Sequence, residues 1–154
     1  MTNGVPSLVL YDENGESCVE LNGFKGGPSM TLRDENGERR AELVVTRQTT
    51  EVSLVAHKGK GSALLVVRAD GPSLELHHDK GKGGALLWVD KFGPKLILQD
   101  ASSTNRAQFH MSVYGPEVEL QDENGKPAVR VRVTEYGPEL KLLGQNGQMI
   151  WQAP

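Results

Sequence analysis

The sequence predicts an all-β fold built from seven tandem β-hairpins of 22 residues, about fourteen short strands in all. Three observations carry this reading. First, Leu10, Leu32, Leu54, Leu76, Leu98, Leu120 and Leu142 share one register in steps of 22. Second, two turn signals keep the same beat. Asp-Glu-Asn-Gly recurs at Asp12–Gly15, Asp34–Gly37 and Asp122–Gly125, and Gly-Pro recurs at Gly27, Gly71, Gly93, Gly115 and Gly137. Third, apolar and polar residues alternate between the turns, the period of a strand with one apolar face.

Each element follows from its residues. Repeats start near residues 4, 26, 48, 70, 92, 114 and 136, with residues 1–3 completing the last, in a single repeat domain spanning 1–154. The second repeat shows the layout: a strand over Ser29 to Arg33, a turn over Asp34 to Gly37, and a strand over Glu38 to Val45. Met30 and Leu32 in the first strand, and Ala41, Leu43 and Val45 in the second, form the face expected to point inward. In the turn, Asp accepts backbone bonds at the start and Gly takes the left-handed conformation at the end. The second connection also ends in Gly, and the Pro after it opens the next strand, where a missing N–H costs no ladder bond.

Three architectures bury a common apolar face. The expected one is a meander or superhelical array of hairpins. A two-sheet β-solenoid is the nearest alternative, and a closed seven-fold ring or barrel the third. Stacking single coils would put Asp12 over Asp34 and Glu13 over Glu35, like charges in direct register, which disfavours the solenoid.

Composition narrows the function classes. A formal net charge of −3 argues against nucleic acid as a partner. The single cysteine, Cys18, excludes an internal disulfide framework. No apolar run reaches membrane-spanning length, and Met1-Thr2-Asn3 does not begin a signal peptide. The expectation is a soluble protein, cytoplasmic or exported with its leader removed, with no membrane partner.

The pattern Gly-Pro-x-Leu-x-Leu-x-Asp-x-x-Gly, closing in Ile150-Trp151-Gln152-Ala153-Pro154, resembles uncharacterised bacterial tandem-repeat proteins with 22-residue hairpin repeats. More loosely it is similar to choline-binding and MORN hairpin repeats. The Trp-Tyr-Tyr strands of choline-binding modules are missing, so their ligand does not carry over. The resemblance implies architecture, with binding or scaffolding as the expected role.

Departures from the repeat nominate the sites. In the third and fourth repeats, His57-Lys58-Gly59-Lys60-Gly61 and His78-Asp79-Lys80-Gly81-Lys82-Gly83 replace the acidic turn. Glycine-rich backbone with lysine is anion-binding chemistry, which makes His57, Lys58, Lys60, His78, Lys80 and Lys82 the candidate ligand residues. The same repeats, with Val44 just before them, carry Val55, Leu64, Val66, Leu86 and Trp88 at registers that elsewhere hold polar residues such as Glu20, Glu42, His110, Gln121, Arg130 or Arg132. These form a candidate partner-binding patch on the outer face. Phe92, Tyr114 and Tyr136 recur just before Gly-Pro, where each ring is expected to brace its turn.

Catalysis has no signature. His77 and His78 point to opposite faces of a strand, a poor start for a metal site, and no nucleophile has a base at an interpretable spacing. No metal, cofactor or catalytic residue is expected. The leading expectation is therefore a non-enzymatic scaffold that binds a protein partner or forms a homo-oligomer through the outer patch. The alternative is a small-ligand or anion-binding module on the Lys/Gly turns.

Overall fold

Local turn chemistry sets the strand boundaries. In the first hairpin the Asp12 carboxylate accepts the backbone N–H of Asn14 and Glu16, both at 2.9 Å, and Gly15 sits at φ 83°. The same bonds form at Asp34, Asp100 and Asp122. Where the consensus has Gly, the fifth turn has Ser103, which adopts φ 63°. The other connection is a two-residue turn such as Lys25-Gly26 between the paired residues Phe24 and Gly27. Gly27 has φ 137°, and a Cβ there would lie 1.6 Å from the carbonyl oxygen of Val45, at the far end of the same hairpin. Gly115 repeats this, 2.3 Å from the Val133 oxygen. Glycine is thus required by both conformation and close approach.

A computed structural model describes residues 4–79 and 82–153, and their contacts group into two stretches, Met1–Lys80 and Gly81–Pro154. In the first, the strands are β1 (Ser7–Tyr11), β2 (Ser17–Phe24), β3 (Gly27–Arg33), β4 (Arg39–Val45), β5 (Thr49–Val55), β6 (Gly61–Arg68) and β7 (Gly71–His78). In the second they are β8 (Lys82–Asp90), β9 (Gly93–Gln99), β10 (Asn105–Ser112), β11 (Gly115–Gln121), β12 (Pro127–Thr134), β13 (Gly137–Leu143) and β14 (Met149–Ala153). Among the described residues, the one other regular element is a 3-10 turn at His57–Gly59. The fold is all β, and strand order is chain order throughout. Among the described residues, no helix is long and apolar enough to cross a membrane.

Within each stretch every strand pairs antiparallel with its sequence neighbours. A hairpin meander therefore forms, and not a stack of single coils, whose ladders would be parallel. In neither stretch does the last strand return to pair with the first, so the sheet stays open and the ring alternative falls away. Small register shifts beside each Asp turn, as between Leu10 and Tyr11, absorb the extra loop residue.

The period of 22 becomes cross-strand rows. Leu8, Leu21, Met30, Leu43, Val52, Leu65 and Leu74 pair in succession across β1 to β7. Beside them a second row alternates large and small: Leu32, Ala41, Leu54, Ala63, Leu76. This face was expected to be the buried one. It is the more exposed: Leu10, Leu54, Leu76, Leu98, Leu120 and Leu142 keep 37–50 % of their surface. Among the described residues, no second layer packs on it within either stretch.

Candidate functional site

The Leu face is the dominant surface of each stretch. In Met1–Lys80 its third row holds Pro28, Val45, Thr50, Val67 and Pro72, and Thr50 is the one polar side chain among the described residues of the three rows. A shallow groove of about 550 Å³ runs between Leu8, Leu21, Met30 and Leu43, with Pro6 and Val45 at its end. In Gly81–Pro154 the equivalent row is Leu87, Leu96, Phe109, Val118, Val131 and Leu140. Its groove, about 390 Å³, lies among Leu96, Phe109, Met111, Val131 and Val133. Sequence reasoning found these residues but assigned them to a core. What it could not read was the number of layers.

The opposite face carries the charges and is the better covered. In Gly81–Pro154, Glu117 and Glu119 on β11 face Arg132 and Arg130 on β12, which face Glu139 and Lys141 on β13. Arg130 Nε lies 2.8 Å from carboxylate oxygens of both Glu117 and Glu119. Arg132 bonds Glu139, and Lys141 Nζ is 2.6 Å from the same carboxylate. The two glutamates on β11 are only 8–9 % exposed. Burial is the largest single influence and works against the Arg130 charge, but the bond to Glu119 together with the charges of Glu119, Glu117 and Glu139 outweighs it and holds the guanidinium above its ordinary value. Lys141 first, then Arg132 against some burial, holds the Glu139 carboxyl below the usual range. Three acids and three bases thus close a neutral network.

The proposed outer patch lies on this same face. Val66 is 0 % exposed, between Glu51 on β5 and Ser73 on β7. Val44, Val55 and Leu64 are half-buried in the same stretch. In the other stretch Leu86 is half-buried, and Trp88 lies under Lys95, whose Nζ is 5.4 Å from the ring centroid. None of the six is an exposed residue. Their apolar side chains fill a charged face and present little surface.

The rim residues are placed as follows. Lys58, in a left-handed conformation at φ 56°, and Lys60 are exposed on the β5–β6 turn; Lys82 is exposed at the start of β8. His78 is exposed, while His77 on the other side of β7 meets Glu75 at 3.3 Å. Lys80 lies outside the described residues.

His57 has carboxylate neighbours that sequence reasoning missed. Its Nδ1 is 3.5 Å from Glu38 and 3.9 Å from Asp34, and the Lys58 N–H donates to Glu38 at 3.5 Å. The signal was the period itself, since a step of 22 sets the His57 turn beside the Asp34 turn. The ligand atoms of Asp34, Glu38 and His57 lie within 4.8 Å of one another, a set that fits a divalent cation by type. Arg40 already donates to Asp34 Oδ2 at 3.1 Å, so one carboxylate is neutralised without an ion. Burial raises the Asp34 pKa, but the N–H groups of Asn36 and Glu38 and the Arg40 bond together outweigh it, holding it below its ordinary value.

The aromatic rim stands clear of its turns. Tyr114 is exposed and Tyr136 is 93 % exposed, so neither ring is clamped on the following proline. The turns are held by hydroxyls instead: Ser112 Oγ accepts the Tyr114 N–H, and Thr134 Oγ1 accepts that of Tyr136. Comparison with protein-family models and with curated protein sequences found no match.

Proposed function

We propose that this chain is a non-enzymatic interaction scaffold that binds a protein partner or self-associates through the Leu face. One observation carries the reading: an apolar plane three rows deep and seven strands wide with no charge in it, left open within each stretch. Monomeric proteins seldom expose contiguous apolar patches beyond about 300–600 Å², and larger ones mark contact sites. Burial of Val66 argues for moving the contact surface from the Val44/Val66 patch to the opposite face.

The alternative, an anion-binding turn, has less support. The carboxylates of Glu38 and Asp34 sit against His57, where an anion would be repelled. The scaffold reading is tested with an apolar dye such as anilinonaphthalene sulfonate alongside the solution mass. The Leu face should either take up dye or be covered by association. A monomer that takes up no dye would overturn the proposal.

A further inference from the structure

We infer that the occupant of the Leu face is a second copy of this chain, packed sheet on sheet about a two-fold axis. The inference rests on the scaffold reading and adds the identity of the partner. Area comes first. Leu8, Leu21, Leu43, Leu54, Leu65 and Leu76 are each 39–53 % exposed. With their neighbours they offer on the order of 800 Å² in one stretch, what each partner brings to a standard interface. The second stretch offers a similar area through residues such as Leu98, Phe109 and Leu120.

Chemistry excludes selection by charge. The rows hold no ionisable side chain among the described residues, so recognition has to come from shape. The shape is a corrugation with a fixed pitch: Leu32, Ala41, Leu54, Ala63 and Leu76 alternate ridge and hollow at each strand, as do Ala85, Leu98, Ala107 and Leu120. Shifted by one strand, the same face sets Leu ridges into Ala hollows at the usual sheet separation of about 10 Å. A partner must carry the same pitch, and a second copy does so by construction. An isologous contact then repeats every pairing twice.

A bilayer fits less well. From Ala63 to Val67 the apolar band spans three Leu-face positions of β6, about 13 Å of strand, against the roughly 25 Å apolar belt of membrane barrels.

The test is light scattering across a concentration series on the full chain, with the Leu65→Glu variant beside it. Two copies per particle are expected, with the dissociation constant weakened roughly 100-fold or more by Leu65→Glu, since a carboxylate would be buried unpaired. Circular dichroism establishes that the variant is folded. A readout on an unaltered face guards against misfolding. Trp151 pairs with Leu142 on the Leu face and Trp88 lies on the charged one, so Trp88→Phe leaves a reporter of the contact. Iodide quenching of that reporter should fall as protein concentration rises.

A dimer indifferent to Leu65→Glu, with Trp151 quenching constant, would place the contact elsewhere and overturn the inference. A monomer that takes up dye would overturn it too, yet leave the scaffold reading standing for another partner. A monomer taking up neither dye nor a second copy would overturn both. Uptake of the monomer by phosphatidylglycerol vesicles would assign the face to lipid instead.

Discussion

Leu65 and Val66 are neighbours in β6, alike in chemistry and opposite in fate. Leu65 keeps 45 % of its surface and Val66 keeps none. Alternation sends them to different faces, but alternation alone would have buried the Leu, whose rows are apolar but for Thr50. The difference lies in what surrounds each. On the Leu face compact aliphatic side chains stand side by side and leave their tips bare. On the charged face, Val66 lies between Glu51 on β5 and Ser73 on β7 and keeps no exposed surface. Within one stretch, the apolarity of a residue does not by itself decide how far it is buried.

The sharpest way to break this comparison is to put the same charge at both positions. Val66→Asp would bury an unpaired carboxylate next to Glu51 and should cost about 4 kcal/mol or more, enough to unfold a marginal chain. Leu65→Asp should cost less than about 1 kcal/mol when measured at dilution, where one copy is free of another. Urea denaturation of both variants decides it. Equal losses would mean the Leu face is covered within the chain.

Substitution of Gly115 tests the frame that both faces share. Gly115→Ala meets the Val133 carbonyl and a φ of 129°, so a loss of about 2–4 kcal/mol is expected in thermal or urea melts. At Gly137, where φ is 119° but nothing lies within 4 Å, the strain remains without the clash, and Gly137→Ala should cost about 1–2 kcal/mol. Matching losses would mean conformation alone requires the glycine.

Pairing on the charged face is sharpened by Arg130→Ala. The change leaves Glu117 and Glu119 side by side without their shared cation. Complete burial would make the loss about 3–5 kcal/mol; Arg130 keeps roughly a third of its side-chain surface, so about 2 kcal/mol is expected. Adding Glu119→Gln should recover part of it. If Arg130→Ala were neutral, these pairs would not roof the face.

Most of the fold was legible because its determinants are local. An Asp that accepts two N–H groups, a Gly at positive φ and a period-2 strand are each settled within a few residues, and copying them seven times made the meander plain. The burial of Val66 and the openness of Leu65 were not legible, because alternation gives faces and does not say how many layers will cover them. The His57 cluster falls between. His57 lies 19 residues beyond Glu38 and 23 beyond Asp34, and only the step between adjacent turns brings it to them. Aromatic rings before Gly-Pro misled for a related reason: hydroxyl-capped turns at Ser112 and Thr134 needed no bracing.

The smallest effect should come from the turns, which belong to neither face. Backbone N–H groups hold the carboxyls of Asp12, Asp100 and Asp122 below their ordinary value, led by the Glu16, Thr104 and Lys126 amides respectively. At Asp34, burial is the largest influence and opposes the shift, but the hydrogen bonds prevail. A depressed native pKa means the unfolded chain takes up protons first as pH falls. The stabilisation is therefore complete above the unfolded value, about 3.9, and is lost as acid carries the pH down through the native value. Urea midpoints should hold steady from pH 7 to about 5 and fall below about 4. Asp12→Asn keeps an oxygen that accepts the Asn14 and Glu16 amides but removes the charge. Its urea midpoint should lie below that of the unaltered chain at pH 6 and meet it near pH 2. A deficit of the same size at both ends would show that the turn needs only the acceptor geometry. Acid would then weaken the protein through the ion pairs of the charged face, and the contrast between the two faces would itself depend on pH.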